Sequence, residues 1–196
     1  VDIQGFDLEV DDEVAIFDDE LCVGVANVGG GVGYTINLDG NGDYVNLGNP
    51  AALQITGSQT IEMWINPSTF NARRNPWAKA YAGEGTITLE TNGTLNYFYG
   101  TGGANNSPYQ SFTTASPVSV NTWTHIAIVR DLENMQLKWY FNGVLVNQVG
   151  ASYSYAAAGP NTAYIGAGYV GSFAGMIDEV RVWNVPRTQE QIVENL

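Results

Sequence analysis

Apolar and polar residues alternate along most of this chain, and clusters of Gly, Asn, Asp and Pro interrupt the alternation at short intervals. A period of two puts successive side chains on opposite faces of an extended backbone, so these segments read as strands and the clusters as turns. Strands are predicted near 34–38, 43–47, 59–66, 85–90, 94–99, 109–114, 123–130, 135–141, 144–149, 162–166 and 173–183. Asn92-Gly93 and Asn142-Gly143 fit two-residue type I′ hairpin turns, in which both central residues need positive φ. Ile126, Ala127, Ile128 and Val129 are apolar on both faces, as expected of a central strand covered on each side. One short helix is predicted at the C-terminus, where Thr188 and Gln191 have capping-box spacing ahead of Ile192 and Leu196. Many strands and almost no helix leave an all-β, two-sheet antiparallel sandwich as the economical fold.

With 196 residues the chain has the length of one large domain; a domain of this size buries roughly 70% of its unfolded surface. A net charge of −13 opposes nucleic acid or an anionic bilayer as partner and favours cations. Nine acidic residues fall within positions 1–20 and the first basic residue is Arg73, so the chain opens on an acidic arm. Behind it an alternating run and Gly29-Gly30-Gly31 follow, with Val14, Ile16, Leu21, Val23 and Val25 as core-facing candidates and the glycines as a hinge. The expected division is an arm or extra strands at 1–33 and a sandwich domain at 34–196. Two routes stay open for the arm: it folds back on its own sheet, or it lays a strand along a neighbouring copy and builds a homo-oligomer or filament. Cys22 is the sole cysteine, which excludes an intrachain disulfide and leaves pairing between chains open. No apolar run is long enough to suggest membrane insertion. The start at Val1 rather than Met hints at a processed segment, and the expected location is extracellular or on the cell surface.

Candidate chemistry begins with Asp178, which on a strict period of two shares a face with Val180 and Val182. A bare carboxylate there must hold a cation, meet backbone donors or lie at a wet rim. Asp43 stands in the same relation to Val45 and Leu47, and the two aspartates are expected close together. Asp39-Gly40-Asn41-Gly42-Asp43 offers side-chain oxygens at every second position, so Asp39, Asn41, Asp43 and Asp178 are the candidate ligands of a structural calcium ion. An EF-hand reading fails, because Tyr44 and Pro50 stand where the turn glycine and the closing glutamate belong. The competing reading is a turn whose Asp and Asn side chains bind their own backbone.

No enzyme is expected. Glycoside hydrolysis needs two carboxylates flanking the scissile bond, whereas the strand Ile61–Asn66 carries only Glu62, and Glu84 and Glu90 stand apart. His125 lacks a nucleophile signature and reads as a structural residue. Binding has more support: Trp77, Tyr81, Tyr97, Tyr99, Tyr109, Tyr153, Tyr155 and Tyr169 fall in supposed loops and outer faces, with Asn96, Asn105 and Asn106 beside them. Sugars stack C–H faces on such rings while amides take the hydroxyls. Arg73, Trp77, Tyr81, Tyr97, Tyr99 and Tyr109 are the ligand-binding candidates, with Arg74 and Lys79 completing a basic cluster around Trp77. That cluster suits an acidic glycan or the acidic arm of another copy.

The strings LDGNGDYVNLG, QTIEMWINPS, NTWTHIAIVRD, LKWYFNGVLV and FAGMIDEVRVWNVPRTQEQI, in this order, resemble the laminin-G-like, concanavalin-A-like jelly-roll family from about Ile36 to Leu196. The resemblance implies two curved antiparallel sheets in a secreted or surface module that binds glycans or proteins, commonly with calcium at the rim. It also admits glycoside hydrolases, so the function does not follow from the fold alone. The expected function is a non-catalytic extracellular carbohydrate-binding or adhesion module. The alternative is a structural subunit of a filament or coat assembled through residues 1–33.

Overall fold

The computed structural model describes residues 35–196 and, ahead of them, the backbone of three strands. Those strands are β1 (Asp2–Gln4), β2 (Glu13–Asp18) and β3 (Leu21–Asn27). Next come β4 (Ile36–Asp39), β5 (Tyr44–Gly48), a 3-10 turn at Ala51–Leu53, β6 (Gln59–Pro67), β7 (Arg74–Ala78), β8 (Thr86–Leu89) and β9 (Leu95–Gly100). The chain continues through β10 (Tyr109–Thr113), β11 (Thr124–Asp131), β12 (Gln136–Phe141), β13 (Val144–Gly150), β14 (Ala163–Ile165), β15 (Gly171–Ser172) and β16 (Ala174–Trp183) to α1 (Gln189–Val193). One sheet runs β1-β5-β14-β7-β8-β9-β10, with β15 beside β7; the other runs β13-β12-β11-β6-β16-β2-β3, with β4 beside β16. Pairing is antiparallel except at β15–β7 and β16–β2. The fold is a two-sheet jelly-roll sandwich with a short C-terminal helix, as expected from the sequence.

Between the sheets lies one apolar core, fed by alternate residues of each strand: Val45 and Leu47, Ile61, Met63 and Ile65, Ile87 and Leu89, Ile126 and Ile128, Val180 and Val182. The outward residues of β11, Ala127 and Val129, form a second cluster with Tyr140 and Ile192. The predicted helix therefore explains why that strand is apolar on both faces. Its capping box is present, with Thr188 accepting from the Gln191 N–H and the Gln191 side chain accepting from the Thr188 N–H.

Three expectations change. Asn142 and Gly143 both have positive φ, 48° and 74°, as a type I′ turn requires. At Asn92-Gly93 only Gly93 does, at 82°. The Asn92 Oδ1 instead accepts from the Thr94 N–H at 3.1 Å and hydroxyl at 2.7 Å, while the Gly93 N–H closes on the Glu90 carbonyl. An Asx turn thus replaces the two-residue hairpin. Strand β7 was missed because Pro76 argues against an interior strand, but the register with β8 shifts between Arg74 and Trp77. In that irregularity the ladder does not need the proline's missing N–H.

The third change concerns Asp178. The register of β16 against β6 slips between Asp178 and Arg181, and Glu179 sits at φ 48°. One extra residue reverses the alternation, so Ile177 and Val180 are both buried while Asp178 is half-buried on the other face. Asp178 therefore does not share the core face of Val180 and Val182. Finally, β1 pairs with β5, and β2 with β16 and β3, so strands of the acidic segment extend the sheets of their own domain. The side chains of Val14, Ile16, Leu21, Cys22, Val23 and Val25, and the hinge at Gly29–Gly31, lie outside the described residues.

Candidate functional site

The outward face of the β5-β14-β7-β8-β9-β10 sheet carries the largest concentration of chemistry. Alternation that sends Val45, Ile165 and Ile87 inward sends Tyr44, Tyr164 and Thr86 outward. Tyr44 and Tyr164 meet edge to face, with ring centroids 5.3 Å apart. Tyr169, on the loop between β14 and β15, lines one cavity with them. That loop is tied down by the buried Asn75, whose amide donates to the Ile87 carbonyl at 2.8 Å and whose Oδ1 accepts the Val170 N–H at 3.1 Å. The cavity has a volume of about 430 Å³, with Ala78 and Gly168 among its lining and Asn105, Asn161, Thr162 and Thr86 offering polar groups. This volume lies in the range of small-ligand sites.

At one end of the cavity lies Lys79, its side chain 1% exposed. Its Nζ donates to Glu84 Oε1 and Asn49 Oδ1, both at 2.7 Å, and to the Asn161 carbonyl at 3.5 Å. Glu84 Oε1 also accepts the Gly159 N–H at 3.0 Å. The ion pair is fully buried and fixes the loops that bound the cavity. A ring cluster adjoins the cavity through Tyr169: Tyr169 and Tyr109 each lie 5.1 Å from Tyr81, and Phe98 is 6.0 Å from both Tyr109 and Tyr169. Arg73 braces Tyr169, its guanidinium 5.7 Å from the ring and its Nη2 donating to the phenol oxygen at 3.0 Å. The same guanidinium is held by Glu90 through two hydrogen bonds of 2.8 and 3.0 Å, which raises its already high pKa further.

Of the ligand-binding candidates read from the sequence, Arg73, Tyr81 and Tyr109 are thus brought together on this face. Trp77, Tyr97 and Tyr99 are not: they are 1%, 1% and 0% exposed, inside the sandwich, and offer no surface to a sugar. Tyr97 and Tyr99 share the inward parity of Leu95, and their hydroxyls are satisfied there by Gln59, Arg130 and the Tyr153 backbone. The expectation of outer-face rings fails for them, because buried hydrogen-bond partners satisfy the hydroxyls in place of water. Tyr44, Tyr164, Asn161 and Thr162 were missed, although period-two alternation alone sends Tyr44 and Tyr164 away from the core.

The metal candidates divide. Asp39, Asn41 and Asp43 share one turn, in which Asp43 Oδ2 accepts the Asp39 N–H at 3.0 Å and Asp39 Oδ1 accepts the Asn41 N–H at 2.6 Å. Arg74 Nη1 donates to the Gly40 carbonyl there at 3.3 Å, placing a fixed cation against the turn. Asp178 is elsewhere: β4 pairs Asp39 with Ala174 and Ile36 with Ile177, so Asp178 lies past the opposite end of that strand. The four residues do not form one ligand set, and among the described residues no group of three or more His, Cys, Asp and Glu is placed to hold a metal.

Asp178 and Glu179 instead border a second cavity of about 380 Å³ with Trp64, Trp123 and Thr35, on the outer face of the other sheet. Burial raises the Asp178 pKa, against a backbone hydrogen bond from Glu179, and Glu179 pairs with Arg181. Deeper on that face Glu62 and His125 are both fully buried, with 3.9 Å between Oε2 and Nε2. Burial raises the Glu62 pKa, opposed by hydrogen bonds from Trp183 and Asn195, and pushes His125 down to about 4. Neither lines either of these two cavities, and among the described residues no carboxylate or histidine lines the larger one.

Residues 39–193 match the family model described as the concanavalin A-like lectin/glucanases superfamily, and the chain belongs to that family. No curated protein matches it in sequence. Among solved structures it is similar to domain 4 of AbnA, a GH43 extracellular arabinanase from Geobacillus stearothermophilus, in complex with arabinotriose. The identity is 22% over 85% of this chain and 78% of that one, with a TM-score of 0.65. The Ruminococcus gnavus IT-sialidase CBM40 bound to α2,3-sialyllactose is 14% identical over 82% and 95% of the two chains, with a TM-score of 0.66. A Bacteroides ovatus ATCC 8483 protein is 21% identical with a TM-score of 0.61; the match covers 77% of this chain, which spans only 44% of that protein. At these identities the likeness establishes the fold.

Proposed function

We propose that the chain is a non-catalytic carbohydrate-binding module that seats its glycan in the cavity walled by Tyr44, Tyr164 and Tyr169. The observation that carries this reading is the cavity's composition: three tyrosines that offer rings for C–H stacking, with Asn105, Asn161, Thr162 and Thr86 supplying polar groups for hydroxyls. Support also comes from the solved complexes of this fold with arabinotriose and sialyllactose. Among the described residues no carboxylate lines the cavity, so they supply no acid pair of the kind glycoside hydrolysis requires. The second cavity, with its two tryptophans, is the rival location, but its Glu179 is already committed to Arg181.

An extracellular setting fits this function, and among the described residues no helix is long and apolar enough to cross a membrane. A calcium ion, if one belongs to the module, would sit at the turn of Asp39, Asn41 and Asp43 without Asp178. Affinity electrophoresis through gels cast with arabinan, xylan, β-glucan or mannan tests the binding reading. Retardation by one polymer, abolished in Tyr44→Ala and Tyr164→Ala variants, supports it. Retardation unaffected by both variants removes the cavity from the account.

A further inference from the structure

We propose that the ligand is an uncharged oligosaccharide, one sugar of which occupies the cavity while the chain continues over Tyr169 onto the rings of Tyr81 and Tyr109. This rests on the glycan-binding reading and narrows its ligand. Lys79 is the only cation among the lining residues, and its three N–H donors go to Glu84, Asn49 and Asn161. An acidic sugar would have to take that ammonium from a carboxylate that is itself 0% exposed, leaving Glu84 buried without its counter-ion. Arg73, the next cation along the face, spends Nε and Nη2 on Glu90 and Nη2 again on the Tyr169 hydroxyl. Within the cavity itself, amides and hydroxyls remain among the described residues, suited to neutral hydroxyl groups. The net charge of −13 adds long-range repulsion of any polyanion.

The cavity and the ring row share residues. Tyr169 lines the cavity and also packs 5.1 Å from Tyr81, so the ring row begins at the cavity wall. Tyr81 is held by its hydroxyl, which donates to the carbonyl of Asn105 at 2.6 Å, and Asn105 itself lines the cavity. Tyr109 ends the row, 43% exposed, another 5.1 Å from Tyr81 and 6.0 Å from Phe98. Fixed rings at the mouth of a cavity gain contact with a chain longer than one sugar, at little cost in side-chain ordering.

The test is isothermal titration calorimetry of the full chain at matched ionic strength. Its neutral arm uses arabino-, xylo-, gluco- and manno-oligosaccharides of one to six residues, and its acidic arm uses sialyllactose and oligogalacturonates. One neutral series should bind and tighten about three- to tenfold between one and three residues, the scale of one added ring contact. Tyr109→Ala should remove that gain. Acidic ligands binding as tightly as neutral ones, affinity independent of length, or a gain that survives Tyr109→Ala would each overturn this proposal while leaving glycan binding intact. Heat from no member of either arm would instead overturn the glycan-binding reading itself.

Discussion

Arg130 is the residue whose removal tests the packing beneath the site most severely. It lies on β11, fully buried, and its guanidinium donates to the carbonyls of Gly57 at 2.9 Å, Glu84 at 2.6 Å and Ile55 at 2.8 Å and to the Tyr97 hydroxyl at 3.1 Å. No carboxylate pairs with it among these bonds, so the cation is held by dipoles that join one sheet to the loop bearing Glu84, and through it to the cavity. Arg130→Met keeps the length of the side chain and removes every donor. A buried acceptor left without a partner costs about 1–3 kcal/mol, offset in part because a charge no longer has to be desolvated. A net loss of about 4 kcal/mol is expected, a large share of the 5–15 kcal/mol typical of a domain. At roughly 2–4 °C per kcal/mol for a chain of this size, Tm should fall by about 8–16 °C. Differential scanning calorimetry measures the shift, and urea unfolding checks that the m-value is unchanged. Arg130→Lys should fall between the two, because one ammonium cannot span the positions served by the fork. A methionine variant within 1 kcal/mol of the parent would show that these carbonyls are not in a dry core.

The buried pair on the opposite face gives a pH signature. His125 is pushed from 6.5 down to about 4, so its contribution to stability is complete above about 6.5 and is lost as pH falls towards 4. Glu62 is raised above 4.5, so its contribution is complete below that value and is lost as pH rises. His125→Phe should therefore lose about 2 kcal/mol less than the parent between pH 7 and pH 4.5, read from urea midpoints; equal losses refute the assignment. Glu62→Gln retains an acceptor for Trp183 and Asn195 and should be more stable than the parent at pH 7, and a less stable variant refutes it. Gly168→Ala would bring its Cβ to 2.4 Å from Asn75 Oδ1 and 2.6 Å from the Ala78 Cβ, displacing the loop that carries Tyr169. Glycan retardation should weaken at least severalfold with the circular dichroism spectrum retained, and unchanged retardation would show that the loop does not set the site. If calcium binds the turn at Asp39–Asp43, millimolar calcium raises Tm and Asp43→Asn abolishes the rise; a melting curve indifferent to calcium and chelator removes the ion.

The sandwich was legible because strand periodicity, glycine-rich turns and the capping box at Thr188 are local signals that the packing respects. The faces were legible only where the period holds. At Asp178 a single inserted residue reverses the parity, and no local rule distinguishes the bulge from a regular strand. Tyr97 and Tyr99 were read as outer-face rings, yet they share the inward parity of Leu95, and the tertiary structure shows Arg130 and Gln59 meeting the Tyr97 hydroxyl in the core. The cavity itself joins strands β5, β14, β7 and β8 to two loops distant in sequence. Tyr44 and Tyr164, 120 positions apart in the chain, meet only because β14 pairs with β5. The acidic segment shows the same dependence on pairing: its strands find partners in β5 and β16 of their own chain, whereas a filament would require partners in another. Sedimentation of the full chain as a concentration-dependent polymer would favour that alternative.

The central claim is that a glycan sits on the outward face of the β5-β14-β7 sheet. Backbone amide shifts in a heteronuclear NMR titration with neutral trisaccharides, arabinotriose first, locate the ligand without mutation. The account predicts saturable shifts centred on Tyr44, Asn105, Asn161–Tyr164 and Ala167–Tyr169. Shifts centred on Trp64, Trp123 and Asp178, on the other sheet, would contradict it.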